Sequence, residues 1–88
     1  MVWTIKWDER ALKELKKIDK KAQQTILRYF RERIATHENP KRFGKALTGD
    51  KVGLWRYRVE DYRMICQIQN HDLIVLVLKV NHRRQVYQ

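Results

Sequence analysis

The stretch LWRYRVEDYRMICQIQNHDLIVLVLKVN, residues 54–81, decides the fold. It contains three runs rich in aromatic and β-branched residues, at 54–60, 62–69 and 72–81. Two short polar pairs, Glu60-Asp61 and Asn70-His71, separate these runs, and such pairs are typical of tight turns between strands. The stretch therefore predicts three consecutive antiparallel strands that form a meander.

Two amphipathic helices are predicted upstream of the meander. Asp8 stands where a helix N-cap belongs, and the first helix is expected over 9–19. Its apolar residues recur every three to four positions: Leu12, Leu15 and Ile18. A second periodic set indicates another helix over 20–36: Ala22, Ile26, Tyr29, Phe30 and Ile34. The two helices are expected to pack as a hairpin.

The remaining segments complete the predicted architecture. Residues 2–7 alternate as a strand, with Trp3, Ile5 and Trp7 on its apolar face. Pro40 ends the helical stretch, and the loop over 39–53 carries all three glycines. The order β-α-α-β-β-β predicts one α+β domain over 1–88. Its N-terminal helix hairpin is expected to pack on one face of a curved, mainly antiparallel four-stranded sheet, leaving the other face free for binding.

Charge and composition narrow the functional classes. Twenty Lys and Arg against ten Asp and Glu give a net charge of +10 on 88 residues, which favours a polyanionic partner. The chain has no apolar run long enough to span a bilayer, and its charged start does not resemble a signal peptide, so we expect a cytoplasmic protein without a membrane partner. One cysteine and three scattered histidines match no metal-ligand spacing. We expect no metal and no cofactor.

Arginines gather on the predicted free face of the sheet. Strand alternation places Arg56 and Arg58 on one side of the first meander strand, and it places Arg63 on the same side of the next. The tail at 82–88, HRRQVYQ, adds two arginines, an imidazole and a phenol beyond the last strand. Isolated surface arginines are usually only solvated. Five on one inferred face favour a functional surface.

This combination of residues suits RNA. Arginine donates bidentate hydrogen bonds to phosphate, and tyrosine stacks on an unpaired base. RNA also carries its own nucleophile, the 2′-OH, so strand cleavage needs in-line geometry, a proton acceptor and cations at the phosphate. His82 adjoins the arginine tail, and histidine is a residue type that transfers protons near neutral pH, which makes His82 a candidate for proton transfer. Cys66 alternates with Met64 and Ile68 and is interpreted as a core residue.

The order of elements and four motifs resemble the RelE/ParE toxin superfamily, and specifically its RelE-type branch. The motifs are DERALK at 8–13, WRYRV at 55–59, DYR at 61–63 and HRRQVY at 82–87. The resemblance covers essentially the whole chain. It implies the toxin of a type II toxin–antitoxin pair, an endoribonuclease that enters the ribosomal A site and cleaves messenger RNA there without metal. Such toxins halt translation and are neutralised by a cognate antitoxin.

The resemblance also implies a catalytic set. Its paired basic positions fall on Arg56 and Arg58, and two further arginines stabilise the phosphate. A tyrosine near the C-terminus orients the messenger base. The implied set is Arg56, Arg58, Arg63, Arg83 and Tyr87. Well-studied members carry lysine at the paired positions, and arginine does not serve as a base. The proton acceptor therefore stays open between Tyr87, His82 and a reaction that relies on orientation and charge stabilisation.

Two other functions fit the same residues less closely. One is a ParE-type inhibitor of DNA gyrase, and the other is a catalytically weak RNA-binding module with a toxin-like fold. The expected partners are a cognate antitoxin whose acidic segment wraps the toxin, and the ribosome with its A-site messenger and ribosomal RNA. A toxin–antitoxin hetero-oligomer on operator DNA is a further assembly that the resemblance allows. The lysines of the first helix form either a solvated face or a contact to an RNA backbone.

Overall fold

A computed structural model describes residues 2–47 and 53–82. Its strands are β1 (Thr4–Trp7), β2 (Lys45–Ala46), β3 (Leu54–Val59), β4 (Tyr62–Gln69) and β5 (Ile74–His82). Its helices are α1 (Glu9–Lys16) and α2 (Lys20–Tyr29), followed by a π-helical turn (Phe30–Ile34) and a 3-10 turn (Pro40–Arg42). Within the described residues, no helix is both long enough and apolar enough to cross a membrane.

The strands form one mixed sheet in the order β1-β5-β4-β3-β2. β1 runs parallel to β5, and the other neighbours are antiparallel. The α+β class and the mainly antiparallel meander are thus confirmed, but the sheet has five strands instead of the predicted four. The additional strand, β2, lies inside the predicted loop, where Lys45 pairs with Arg56 and Ala46 with Trp55. A two-residue strand is too short to show the alternation from which strands are predicted.

The helix boundaries follow from two aspartate caps. The Asp8 carboxylate accepts a hydrogen bond from the backbone N–H of Arg10 at 3.2 Å, as its position predicts. Asp19 caps α2 by accepting from the N–H of Ala22 at 3.3 Å. Because Asp19 begins the second helix, α1 ends at Lys16 rather than at the predicted residue 19.

The core lies between the helices and one face of the sheet. Its largest fully buried side chains include Tyr57, Phe30, Ile26, Ile34 and Met64. Leu12 belongs to the apolar set that predicts the first helix, but it is 37% exposed. Ala11 and Leu15, one helical turn apart, are the buried residues of α1. Ala11 is fully buried, and α1 packs against β5.

A β-bulge changes the direction of side chains near the end of β5. Ile65 lies opposite Lys79, whereas the next residue, Cys66, lies opposite Val77, so Leu78 is an extra residue in β5. Beyond the bulge, Val80 is buried opposite Met64. Consequently the residues on either side of Val80 project to the face of the sheet that points away from the helices.

Candidate nucleic-acid interface

Arg56, Arg58 and Arg63 lie together on the face of the sheet away from the helices, and we call these three residues the arginine face. Tyr57 and Val59 are buried against the helices, so the side chains that alternate with them point outward. Arg58 lies directly opposite Arg63 in the antiparallel register of β3 and β4. The sequence-based placement of these three arginines on one face agrees with this register.

Two lysines extend the positive surface on either side. Lys45 of β2 lies opposite Arg56, and Lys79 of β5 lies opposite Ile65, which itself lies opposite Arg56. Sequence reasoning missed both lysines. Lys45 sits in a strand too short to predict, and the bulge at Leu78 breaks the alternation that would have assigned Lys79 to a face.

The local turn fixes one arginine of the face. The Nε of Arg58 donates a hydrogen bond to the backbone carbonyl of Glu60 at 3.2 Å. Glu60 adopts a positive φ of 54° in the two-residue connection between β3 and β4, which suits the twist of a tight hairpin. The hairpin therefore keeps the Arg58 side chain close to the β3–β4 turn, next to Arg63.

Two residues of the predicted site belong to the C-terminal tail. These residues, Arg83 and Tyr87, lie outside the described residues. The described chain ends at His82, one residue after Asn81, which lies opposite Arg63.

His82 lies on the opposite side of the sheet from the arginine face. It pairs with Tyr62, and the two rings meet edge to face with centroids 5.1 Å apart. Both rings line a cavity of about 390 Å³ between α1 and the sheet, together with Glu14 and Lys17. His82 therefore lies away from Arg56, Arg58 and Arg63. Arg83 and Tyr87, which lie near it in the sequence, are outside the described residues, so its role in proton transfer stays a prediction. The bulge places Asn81, not His82, on the arginine face.

Comparison with known proteins identifies the family. A family model described as the ParE toxin of a type II toxin–antitoxin system, parDE, matches residues 5–87. The chain belongs to this family, within the RelE/ParE toxin superfamily. The match extends over nearly the whole chain and confirms the resemblance that the four motifs indicate.

Individual relatives of this toxin agree with that assignment. Toxin RelG from Mycobacterium tuberculosis is 24% identical over 88 residues, covering 100% of this chain and 99% of RelG. Among solved structures, the toxin–antitoxin complex RelBE2 from M. tuberculosis has a TM-score of 0.86 at 23% identity, covering 94% of this chain and 100% of the matched chain. The archaeal RelE–RelB complex from Pyrococcus horikoshii has a TM-score of 0.71 at 28% identity, covering 94% and 97%. The fold of the toxin is thus the RelE fold.

Among the described residues, the titratable groups with a perturbed pKa lie away from the arginine face. Burial raises the pKa of the Cys66 thiol, which confirms Cys66 as a core residue and makes it a poor nucleophile. Burial also raises the pKa of Tyr57, and burial together with the nearby carboxylates of Asp19 and Asp61 raises that of Tyr62. These phenols stay protonated at neutral pH, so they donate hydrogen bonds but do not accept a proton there.

Metal-ligand geometry is absent from the part of the toxin that the structure describes. In residues 2–47 and 53–82, no three His, Cys, Asp or Glu side chains lie close enough together to hold a metal ion. The arginine face carries guanidinium groups, and Lys45 and Lys79 beside it carry ammonium groups; such groups bind phosphate and stabilise negative charge.

Proposed function

We propose that this toxin is a ribosome-dependent endoribonuclease that cleaves messenger RNA in the ribosomal A site by means of the substrate's 2′-OH, without a metal ion. The observation that carries the proposal is the arginine face, where Arg56, Arg58 and Arg63 project from adjacent strands. Lys45 and Lys79 extend the same positive surface. Similarity to Toxin RelG and to RelE structures supports the same activity.

The roles of the residues follow from their chemistry. Arg56, Arg58 and Arg63 hold the scissile phosphate and neutralise the charge that grows on it during the reaction. Arg83 adds a further cation to the phosphate, and Tyr87 stacks on the messenger base and orients the nucleotide. Because arginine stays protonated at every relevant pH, these residues stabilise charge and orient the substrate but do not remove a proton.

The reaction is a transesterification within the messenger. The 2′-oxygen attacks the adjacent phosphorus in line, the bond from phosphorus to the 5′-oxygen breaks, and the products are a 2′,3′-cyclic phosphate and a 5′-hydroxyl. The proton of the 2′-OH passes to water, and the leaving 5′-oxygen takes up a proton from water. The ribosome contributes by holding the messenger in the in-line conformation.

The net positive charge of the toxin determines the partners that we propose for it. At +10, the toxin binds the ribosomal RNA that surrounds the A site, and this contact weakens steeply as salt rises. Several of the similar solved structures are toxin–antitoxin complexes. We propose that this toxin likewise binds a cognate antitoxin, whose acidic segment covers the positive surface and suppresses activity. Its site of action is the cytoplasm, where ribosomes translate.

Primer extension on a defined messenger in a reconstituted translation system tests the proposal. Wild-type protein is expected to cut at the A-site codon only when ribosomes are present. Arg63→Ala is expected to reduce cleavage at least about a hundredfold, in keeping with the loss of an electrostatic contact to the transition state. Arg28→Ala, an exposed arginine of α2, is the matched control because it removes the same charge elsewhere. An intact messenger with wild-type protein, or equal cleavage by all three proteins, would refute the proposal.

A second candidate function is supported by the family model itself, which describes a ParE toxin. A ParE-type toxin would inhibit DNA gyrase and leave RNA intact. A gyrase supercoiling assay distinguishes the two candidates: the leading proposal expects no inhibition at concentrations that cut the messenger completely.

A further inference from the structure

An exposed aromatic ring lies among cationic side chains outside the arginine face. Phe43 follows the 3-10 turn and is 37% exposed. The guanidinium carbons of Arg33 and Arg42 lie 5.8 Å and 5.4 Å from the centroid of its ring, within the range of a cation–π interaction. The Nζ of Lys41 lies 5.6 Å from the ring centroid of Trp55. We call Arg33, Lys41, Arg42 and Phe43 the basic-aromatic platform.

The segment that carries Phe43 is fixed to the sheet on both sides of it. Before Phe43, the buried Tyr57 hydroxyl donates a hydrogen bond to the carbonyl of Pro40 at 2.6 Å. After Phe43, a Cβ on Gly44 would overlap the indole ring of Trp55 and lie 2.8 Å from the carbonyl oxygen of Arg56, so only glycine fits there. Phe43 is thus held in an exposed position by packing and hydrogen bonds.

The platform is continuous with the arginine face. Lys45, two residues after Phe43, lies opposite Arg56 in the pairing of β2 with β3. The platform therefore adjoins the β2 edge of the sheet, two residues along the chain from a lysine that lies opposite Arg56.

From this arrangement we propose that the basic-aromatic platform is a second RNA contact, which stacks an unpaired base on Phe43 or on its guanidinium neighbours and binds the flanking phosphates through Arg33, Arg42 and Lys45. The inference rests on the proposed function for the identity of the polyanion as RNA. Unpaired bases stack on aromatic rings and on guanidinium planes, and the platform offers both together. It would hold the RNA beyond the nucleotide that is cut.

The ring favours RNA over an acidic protein segment as the occupant. The face of an aromatic ring carries the negative part of its quadrupole, so a carboxylate gains nothing by approaching it. The carboxylates of an acidic segment would contact the guanidinium groups alone, as the carboxylate of Glu38 does with Arg42 in the toxin itself. Binding that depends on the ring of Phe43 therefore distinguishes a base from a carboxylate.

Fluorescence anisotropy with labelled RNA tests the platform without requiring cleavage. The probe is a single strand of about twelve nucleotides, within the usual range of binding-site sizes. It is 2′-O-methylated so that no attacking hydroxyl is present, and a duplex of equal length is the second probe. Phe43→Ala is expected to weaken single-strand binding about tenfold, Phe43→Tyr to restore it, and neither to change duplex binding, because duplex bases are already stacked. Leu12→Ala is the control, since Leu12 is also 37% exposed but lies on α1.

The salt dependence separates stacking from charge. Phe43→Ala is expected to leave the slope of log affinity against log salt unchanged, whereas Arg42→Ala lowers its magnitude by about 0.7, the value for one phosphate contact to a single strand. Equal affinities of wild type, Phe43→Ala and Phe43→Leu for the single-stranded RNA would overturn the inference. It would also be overturned if polyglutamate competed with the RNA in wild type but not in Phe43→Ala. If the toxin cleaves the messenger but Phe43→Ala does not weaken RNA binding, the platform proposal is rejected and the proposed nuclease function stands. If RNA binding depends on the Phe43 ring but the toxin cleaves no messenger, the proposed nuclease function is rejected and the platform proposal stands.

Discussion

Arg58 lies directly opposite Arg63 across the β3–β4 hairpin, so two cations of like sign occupy one cross-strand pair. Like charges in this position destabilise a sheet by an amount comparable to what an opposite pair contributes, roughly 0.2–1 kcal/mol. Selection for stability alone would replace one of the two. Their presence is accounted for by the phosphate that the arginine face is proposed to bind.

Arg58→Glu exchanges the hydrogen bond from the Arg58 Nε to the carbonyl of Glu60 for a carboxylate opposite Arg63, so the free energy of unfolding is expected to change by less than about 1 kcal/mol. The same change is expected to abolish messenger cleavage, because it places a negative charge beside the scissile phosphate. Urea unfolding and primer extension measure the two effects. Arg28→Glu on α2 is the control for the change in net charge, and an Arg58→Glu protein that still cleaves the messenger would contradict the prediction.

Glu14→Ala is expected to lower the free energy of unfolding by about 1–3 kcal/mol, since it leaves a partly buried N–H without an acceptor. The carboxylate of Glu14 accepts the hydrogen bond of the Val80 N–H at 2.9 Å, at a point of β5 that β1 does not reach. Amide hydrogen exchange at Val80 should be faster in Glu14→Ala than in wild type. Glu14→Gln keeps an acceptor oxygen and should lose less stability than Glu14→Ala. Glu9→Ala, whose carboxylate is 85% exposed, should change stability by less than about 0.5 kcal/mol.

The toxin is expected to lose stability as the pH rises above about 9. Tyr57 and Cys66 have ordinary pKa values of 10.0 and 9.0, and burial raises both in the folded chain. In alkaline solution the unfolded chain therefore releases protons that the folded chain retains, which favours unfolding. Urea unfolding at pH 7 to 11 measures the decline.

Tyr57→Phe should make that alkaline decline shallower, because it removes one of the groups responsible. At pH 7 the same variant should be less stable by about 1–3 kcal/mol, because the buried carbonyl of Pro40 loses its donor. An unchanged slope above pH 10 would mean that Tyr57 does not titrate differently in the two states.

His82→Gln is expected to leave the cleavage rate within about threefold of wild type, well short of the contribution of a general acid or base. The His82 ring contacts Tyr62 on the helix side of the sheet, away from Arg63. A single-turnover rate measured from pH 6 to 8 checks this. A pH–rate profile that differs in shape between the two proteins, or a rate reduced more than about a hundredfold in the variant, would show that the imidazole takes part.

Most of the fold could be predicted from the sequence because long helices and strands repeat the same pattern of apolar and polar residues several times. The meander, both aspartate-capped helices and the outward arginines of β3 and β4 each follow from several residues that agree. Alternation alone places Arg58 and Arg63 on one face.

Features that depend on a single residue produce no repeated pattern in the sequence. The extra residue Leu78 shifts the alternation in β5, which sends Lys79 to the arginine face and His82 away from it. The placement of Phe43 depends on contacts of Tyr57 and Gly44 that join distant parts of the chain. Local patterns do not encode contacts of this kind, so the basic-aromatic platform became visible only in three dimensions.

The most direct test of the central claim is cleavage of a ribosome-bound messenger that carries a single 2′-deoxynucleotide on the 5′ side of the scissile phosphate. Its all-ribose counterpart is the reference. If the substrate's own hydroxyl is the nucleophile, the all-ribose messenger is cut to a 2′,3′-cyclic phosphate and the deoxy-substituted messenger stays intact at that position. Cleavage of both messengers at equal rates, or of neither, would contradict the account.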